Sequence, residues 1–209
     1  MSIFYMIAAI LVSYLIGAIP ASFLFAKIFS GIDIRKHGSG NVGATNVYRV
    51  AGKLPGLLAL LLDIGKGAFV VTLVASFFYK FVGNIDWRVY RLVLAFFAFV
   101  GHIWTVFLGF KGGKGVATSA GILIILAPKV LLLSFVVWLL VFAWKRFVSL
   151  ASVVSSVSLP VFALIFEDVK FAVFCIILCC ISIYKHKTNI GRLINGTEYK
   201  FGKQQKVSK

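Results

Sequence analysis

The chain has 209 residues, of which 61% are hydrophobic and 13% charged, and its formal net charge at pH 7 is +16. A soluble domain is closer to half apolar and about a quarter charged, so this composition excludes an ordinary soluble fold and indicates an integral membrane protein. The basic residues are confined to loops and to the C-terminal end. They therefore predict attraction to anionic lipid and no nucleic-acid partner.

Long apolar runs predict transmembrane helices along the chain. The runs at 3–26, 54–78, 89–108 and 130–144 match or approach the roughly 20 residues that cross about 30 Å of hydrocarbon. The first run lacks the pattern of a removable signal peptide, so we expect a retained helix that Pro20 kinks.

The distribution of basic residues predicts the topology. Basic clusters at 27–53, 111–114, 145–146 and from 185 onward are expected on the cytoplasmic side. This pattern predicts an all-α integral membrane protein with about seven transmembrane helices, the N-terminus outside and the C-terminus cytoplasmic. The stretch 115–127 is short, because about 13 residues of helix span only about 20 Å. It could instead form a re-entrant hairpin with the next helix, which would leave five full crossings.

We expect a single membrane domain over 1–198. The basic residues 199–209 predict a disordered C-terminal tail.

Three polar segments rich in glycine interrupt the apolar sequence. The first, at 38–49, combines three glycines with short polar side chains and one arginine, which is typical of a loop that surrounds an oxyanion. The alternative is a turn whose Ser or Asn side chains cap the next helix. The candidate anion-binding residues are Gly38, Ser39, Gly40, Asn41, Gly43, Thr45, Asn46 and Arg49.

The second polar segment, at 111–118, places two lysines among three glycines at a predicted helix start. Backbone N–H groups and ammonium charge can hold an anion there. We favour this role for Lys114, whereas Lys111 fits either anion binding or anchoring at the membrane surface. His102, upstream on an apolar helix, is interpreted as a packed or hydrogen-bonded residue, with a proton carrier as the alternative. The glycines of this candidate site are Gly112, Gly113 and Gly115.

The third polar segment, at 186–192, repeats His186, Asn189 and Arg192 every third residue, near one face if the helix continues. A basic helix end that complements the helix dipole is an equal alternative.

Two further features add weight to a functional interpretation. Asp63 and Lys66 form an i,i+3 pair inside an apolar run, which marks function or an internal ion pair. Ser149 follows a small basic cluster and could line the same cytoplasmic pocket as the polar segments.

Four motifs in order, GSGNVGATNVYR, LLDIGKG, GFKGGKGVAT and KHKTNIGRL, resemble the bacterial acyl-phosphate:glycerol-3-phosphate acyltransferases, the PlsY family. The resemblance implies acyl transfer from acyl phosphate to the 1-position hydroxyl of sn-glycerol 3-phosphate, giving lysophosphatidic acid. That is the first acylation of phospholipid synthesis. It also implies a bacterial cytoplasmic membrane with the active site facing the cytoplasm, and membrane lipid as surroundings.

Roles carried over by motif position go to six residues. The resemblance implies that Arg49 and Lys114 bind phosphate and stabilise developing charge, while serine, histidine and asparagine orient substrate oxygens. The preferred mechanism is direct attack by the substrate hydroxyl, and a covalent acyl-Ser39 intermediate stays open. The implied catalytic set is Ser39, Arg49, Lys114, Ser149, His186 and Asn189.

The sequence predicts no metal and no cofactor, because it has no clustered carboxylates and no His/Cys ligand set. No obligate protein partner is inferred. The His-x4-Asp dyad of thioester-using acyltransferases is absent, since Val42, Phe107 and Gly191 follow the three histidines at that spacing. The main alternative function is a transporter or channel for phosphate-bearing metabolites, since glycine loops and broken helices also build transport sites.

Overall fold

The computed structural model describes residues 2–202, and every regular element in that range is helical. The chain divides into two compact units after Leu126. The fold class is therefore all-α, as the sequence predicts.

The first unit is held together by close helix contacts at small residues. An added Cβ at Gly17 or Gly101 would collide with backbone of the facing helix, so α1 and α6 approach more closely than larger side chains permit. Gly67 and Gly121 join α4 and α7 in the same way. A π-helical stretch, Val70–Val74, links α4 to α5. The helices are α1 (Ser2–Ala18), α2 (Ala21–Ser30), α3 (Ala44–Val50), α4 (Lys53–Phe69), α5 (Ala75–Val82), α6 (Trp87–Ile103) and α7 (Val116–Leu126).

Pro20 breaks the first apolar run between α1 and α2, which confirms the predicted kink. A break inside a helix leaves carbonyl oxygens without intrahelical partners. Two side chains satisfy them here: Thr105 donates its hydroxyl to the Ala18 carbonyl at 2.6 Å, and the Lys66 ammonium donates to the Ile19 carbonyl at 3.0 Å. The kink is thus tied to polar residues of α4 and of the segment after α6.

The second unit contains α8 (Pro128–Lys145), α9 (Val148–Phe166), α10 (Val169–Lys185) and α11 (Lys187–Ile194). Arg146 has a φ of 60° and ends α8 in a left-handed cap, so that α9 starts two residues later. The axes of α10 and α11 differ by 57° at His186. Residues 195–202, which we call the C-terminal strap, return to α8, where the Phe201 N–H donates to the Arg146 carbonyl at 2.9 Å.

Within the described residues, five helical segments are long and apolar enough to cross a membrane, or six if the bent pair of α10 and α11 is one span. Helix α7 has only 11 residues and is too short to count, and α10 alone has 17. The number of crossings and their orientation stay predictions. The five segments are Ser2–Ser30, Lys53–Val82, Trp87–Leu108, Pro128–Lys145 and Val148–Phe166.

The predicted boundary between domain and tail falls inside the strap. Tyr199 and Phe201 have described contacts: the Arg192 guanidinium lies 5.2 Å from the Tyr199 ring centre, and the Phe201 ring lies 5.4 Å from that of Phe142. The rest of the predicted tail, 203–209, lies outside the described residues. The single-domain assignment stays a prediction.

Candidate functional site

The first polar segment is organised around one buried side chain, Asn46. Its amide nitrogen donates to the carbonyls of His37 at 3.0 Å and Asn41 at 3.1 Å, and its oxygen accepts from the Ser39 N–H at 3.0 Å. Only 2% of Asn46 is exposed. The sequence predicted a phosphate-binding role for this residue. Its polar atoms form hydrogen bonds with the backbone of the loop, so we interpret Asn46 as a structural residue that fixes the loop conformation.

Two glycines in the same segment adopt backbone conformations that a side chain would strain. Gly38 has a φ of 61° and Gly40 a φ of 70°, both in the left-handed region. A Cβ at Gly38 would also collide with the Asn46 side-chain oxygen. Glycine is therefore required for the turn that presents Ser39.

The capping alternative for this segment is wrong. Helix α3 begins after Gly43, and no side chain caps its first turn. Ser39, Thr45 and Arg49 are each partly exposed on the loop and on α3. These groups are thus placed where a ligand can reach them.

The second polar segment packs directly on the C-terminal end of α6. The N–H groups of Gly112 and Gly113 donate to the carbonyls of Ile103 at 3.0 Å and His102 at 3.1 Å. A Cβ at Gly113 would collide with the His102 imidazole. The glycines therefore let the loop lie against the helix end, with Lys114 partly buried and Lys111 exposed.

A buried charged cluster lies beneath this loop. The Lys66 ammonium is 2.8 Å from the Asp63 carboxylate, and His102 Nδ1 is 3.3 Å from the same oxygen. The side chains of Asp63 and Lys66 are 3% and 2% exposed, so the predicted i,i+3 pair is an internal ion pair. A small cleft is lined by this cluster together with Pro20 and Gly113.

In the second unit, three predicted site residues converge on the carboxylate of Glu198, which is not among the predicted site residues. The Ser149 hydroxyl and the Asn189 amide donate to Oε1 of Glu198 at 2.8 Å and 2.6 Å, and the Arg192 guanidinium donates to Oε2 at 2.7 Å. Only 5% of the Glu198 side chain is exposed. The strap brings this carboxylate to the three donors.

Burial raises the pKa of Glu198, and hydrogen bonds from Arg192, Asn189 and Ser149 outweigh that effect, so the net pKa lies below the ordinary glutamate value. The carboxylate is therefore ionised at neutral pH. A signal for it exists in the sequence, because Glu198 is one of only two glutamates and follows the third polar segment within six residues of Arg192.

His186 lies at the N-terminal end of α11, ahead of the other two residues of its predicted face. It occupies the bend between α10 and α11, and its Nδ1 lies 2.8 Å from the Ser182 carbonyl. Only 2% of His186 is exposed. The predicted shared face depends on a helix that continues through His186. The chain instead bends by 57° there, and Asn189 and Arg192 lie within α11.

Metal-binding geometry is absent from the described part of the chain. Across residues 2–202 no three His, Cys, Asp or Glu side chains are grouped as a metal site would require. The cysteines Cys175, Cys179 and Cys180 are free thiols.

Comparison with known proteins gives consistent matches. The family model described as glycerol-3-phosphate acyltransferase matches residues 7–196. A glycerol-3-phosphate acyltransferase from Desulforamulus reducens is 46% identical over 194 residues, covering 92% of this chain and 94% of the relative. One from Aquifex aeolicus is 42% identical over 193 residues, covering 92% of this chain and 97% of the relative.

Two solved structures match as well. They are crystal structures of PlsY (YgiH), an integral membrane glycerol 3-phosphate acyltransferase, in a glycerol 3-phosphate form and a lysophosphatidic acid form. Both are 38% identical to this chain, with TM-scores of 0.84 and 0.81; each match covers 94% of this chain and 96% or 95% of the solved one. The motif resemblance is thereby confirmed: the chain is an all-helical integral membrane protein and belongs to the PlsY family of glycerol-3-phosphate acyltransferases.

Proposed function

We propose that this protein transfers a fatty acyl group from acyl phosphate to the 1-position hydroxyl of sn-glycerol 3-phosphate. The products are lysophosphatidic acid and inorganic phosphate, and the step is the first acylation of phospholipid synthesis. The protein works in the bacterial cytoplasmic membrane, with its polar segments facing the cytoplasm and about seven crossings that begin outside. The basic residues that flank each polar segment support this orientation.

One observation carries the proposal. A 38% identical relative is known in a glycerol 3-phosphate form and in a lysophosphatidic acid form. These two ligands differ by one acyl group, so they are acceptor and product of one acylation. Acyl phosphate as donor is supported by the absence of the His-x4-Asp dyad that thioester-using acyltransferases employ.

We assign phosphate binding to the two cations of the glycine-rich segments. The Arg49 guanidinium can bind phosphate oxygens in a bidentate way, and Lys114 adds a point charge. The N–H groups of Gly112 and Gly113 do not share in this binding, because they donate to the carbonyls at the end of α6. Both also stabilise the negative charge that develops at the acyl carbonyl. Ser39, Ser149, His186 and Asn189 orient the glycerol and phosphate oxygens.

The reaction needs little chemical assistance from the protein, because acyl phosphate is an activated mixed anhydride. The substrate hydroxyl oxygen attacks the acyl carbonyl carbon and forms the ester bond. The bond between that carbon and the phosphate oxygen breaks, and the departing phosphate takes the hydroxyl proton. Positioning two bound reactants then supplies most of the acceleration.

A covalent route through Ser39 is the alternative within this chemistry. Protein incubated with acyl phosphate alone should carry no hydroxylamine-sensitive acyl group, and initial rates with both substrates should fit a ternary-complex pattern. An acyl ester on Ser39 that disappears on addition of glycerol 3-phosphate at the turnover rate would establish the covalent route and reject direct attack.

Donor identity tests the proposal. Purified protein in detergent with a metal chelator is offered glycerol 3-phosphate together with either acyl phosphate or acyl-CoA. We expect lysophosphatidic acid from acyl phosphate only. Lysophosphatidic acid from acyl-CoA but not from acyl phosphate would reject acyl phosphate as the donor. Absence of lysophosphatidic acid with either donor would reject the proposed reaction. The transporter alternative gains no support from the relatives, which are acyltransferases by name.

A further inference from the structure

Three donors from two helices converge on the Glu198 carboxylate, and the charge of the carboxylate fixes which partner donates in each hydrogen bond. An ionised carboxylate only accepts hydrogen bonds, so Ser149, Asn189 and Arg192 must each direct a hydrogen toward it. The three distances, 2.6 to 2.8 Å, are short for hydrogen bonds, as expected when one partner is charged. Glu198 thus fixes the hydrogen positions of residues from both α9 and α11.

The consequence is sharpest at Ser149. A serine hydroxyl has one hydrogen and two lone pairs, and Ser149 donates that hydrogen to Glu198. Its oxygen can then only accept from any further partner. A substrate hydroxyl can donate such a hydrogen bond, whereas a phosphate dianion has no hydrogen to give.

Glu198 is held in place independently of Ser149. The Thr197 N–H donates to the Arg192 carbonyl at 2.8 Å, and the Phe201 N–H donates to the Arg146 carbonyl at 2.9 Å. These bonds fasten the strap on both sides of Glu198. The charge of Arg192 balances that of the carboxylate, which offsets the cost of burying it.

We propose that Glu198 is a positioning residue that fixes Ser149 as a hydrogen-bond acceptor for a hydroxyl group of the glycerol substrate. This inference rests on the proposed function. Under this proposal, different side chains bind the two ends of the acceptor: Ser149 binds the glycerol end, and cationic side chains bind the phosphate end.

The substitution Glu198→Gln tests the idea, because it keeps the size of the side chain and replaces one accepting oxygen with a donating amide. We expect kcat/KM for glycerol 3-phosphate to fall about 10-fold or more, the loss typical of a charge-assisted hydrogen bond. Glu167→Gln, the same change at the other glutamate and at the far end of α9, is the control and should stay within about twofold of the parent.

A double-mutant cycle separates positioning from general support of the fold. Ser149→Ala should lower kcat/KM about 10-fold in the parent protein and less than about twofold more in the Glu198→Gln protein, because coupled neighbours are not additive. Additive losses, or unchanged activity in Glu198→Gln, would overturn the proposal. If Glu198→Gln fails to fold, the cycle is run with Glu198→Asp, which keeps the charge and shortens its reach, under the same criterion.

Inhibition by inorganic phosphate locates the end of the substrate that Ser149 recognises. Neither Ser149→Ala nor Glu198→Gln should change the inhibition constant of phosphate against glycerol 3-phosphate by more than about twofold. An increase that matches the loss in kcat/KM would overturn the assignment to the hydroxyl end. Failure of the parent protein to acylate glycerol 3-phosphate would instead reject the proposed function, so the two failures are distinguishable.

Discussion

At the scale of single residues, some polar side chains of this membrane protein shape the loops of the proposed site, and others lie partly exposed on those loops. The Asn46 amide forms hydrogen bonds with the loop backbone. The Glu198 carboxylate accepts hydrogen bonds from three neighbouring side chains. Leaving a buried polar group unpaired costs about 1–3 kcal/mol, which is consistent with the several hydrogen bonds of these two side chains. Arg49 and Lys114 lie on partly exposed parts of the glycine-rich segments.

Removing either cation should impair the reaction while leaving the protein folded. We expect Arg49→Ala and Lys114→Ala each to lower kcat/KM by about 10- to 150-fold, because a charge-assisted contact with phosphate is worth about 1.5–3 kcal/mol. Steady-state assays with glycerol 3-phosphate measure the effect. Lys36→Ala, an exposed lysine before the first segment, is the control and should change the rate little. Near-normal rates in both variants would remove them from the site.

At the scale of elements, the glycine segments work by close packing against helices. The loop around Gly113 lies against the end of α6, where His102 also contacts the buried Asp63. Any movement of this loop therefore disturbs a buried charged cluster. The strap has a similar relation to α11, because its carboxylate bonds Asn189 and Arg192.

Adding one methyl group at Gly113 should displace the loop. A Cβ there would collide with the His102 imidazole and lie 2.7 Å from the Val42 carbonyl oxygen. We expect Gly113→Ala to lower the free energy of unfolding by about 1–3 kcal/mol, as overpacking does, and to reduce activity. Gly65→Ala, where nothing lies within 4 Å, is the control and should be neutral or stabilising. Equal stability of the two variants, measured by thermal unfolding in detergent, would contradict the packing.

Acid should release the strap. The folded pKa of Glu198 is lowered from 4.5, so its contribution to stability is complete above about pH 4.5 and is lost as the pH falls through the lowered value. The difference in thermal unfolding temperature between the parent and Glu198→Gln should therefore be largest near neutral pH and shrink below about pH 4. A difference that grows on acidification would contradict the sign of the shift.

At the scale of the whole molecule, five or six described segments have the length and apolarity of membrane spans, and the polar segments interrupt them. The proposed topology is a prediction from the basic residues beside each polar segment. An active site that faces the cytoplasm would be open to a water-soluble phosphorylated acceptor from that side.

Cysteine labelling tests this topology. Single cysteines replacing Lys36, Lys111 and Thr188, all exposed, should react with a membrane-impermeant maleimide only in inside-out vesicles or opened cells. The experiment needs a background in which Cys175, Cys179 and Cys180 are replaced by alanine, because all three are free thiols. Labelling of any of the three sites from the outside would contradict the predicted orientation.

Particular residues show what the sequence could and could not predict. The Asp63–Lys66 pair was predictable, because ionisable residues are rare inside an apolar run and residues three apart on a helix share a face. Proline chemistry identified the break at Pro20. The roles of Asn46 and Glu198 were beyond prediction, because residue type gives donors and acceptors while the course of the backbone decides which partner they reach.

The proposed function requires acyl transfer from acyl phosphate to glycerol 3-phosphate, and a phosphorus NMR time course follows both substrates and both products of that transfer. Purified protein in detergent is given both substrates and a metal chelator, and all phosphorus species are followed together. We predict that acyl phosphate disappears while lysophosphatidic acid and inorganic phosphate appear in equal amounts. Release of inorganic phosphate without lysophosphatidic acid, or persistence of both substrates, would contradict acyl transfer from acyl phosphate to glycerol 3-phosphate.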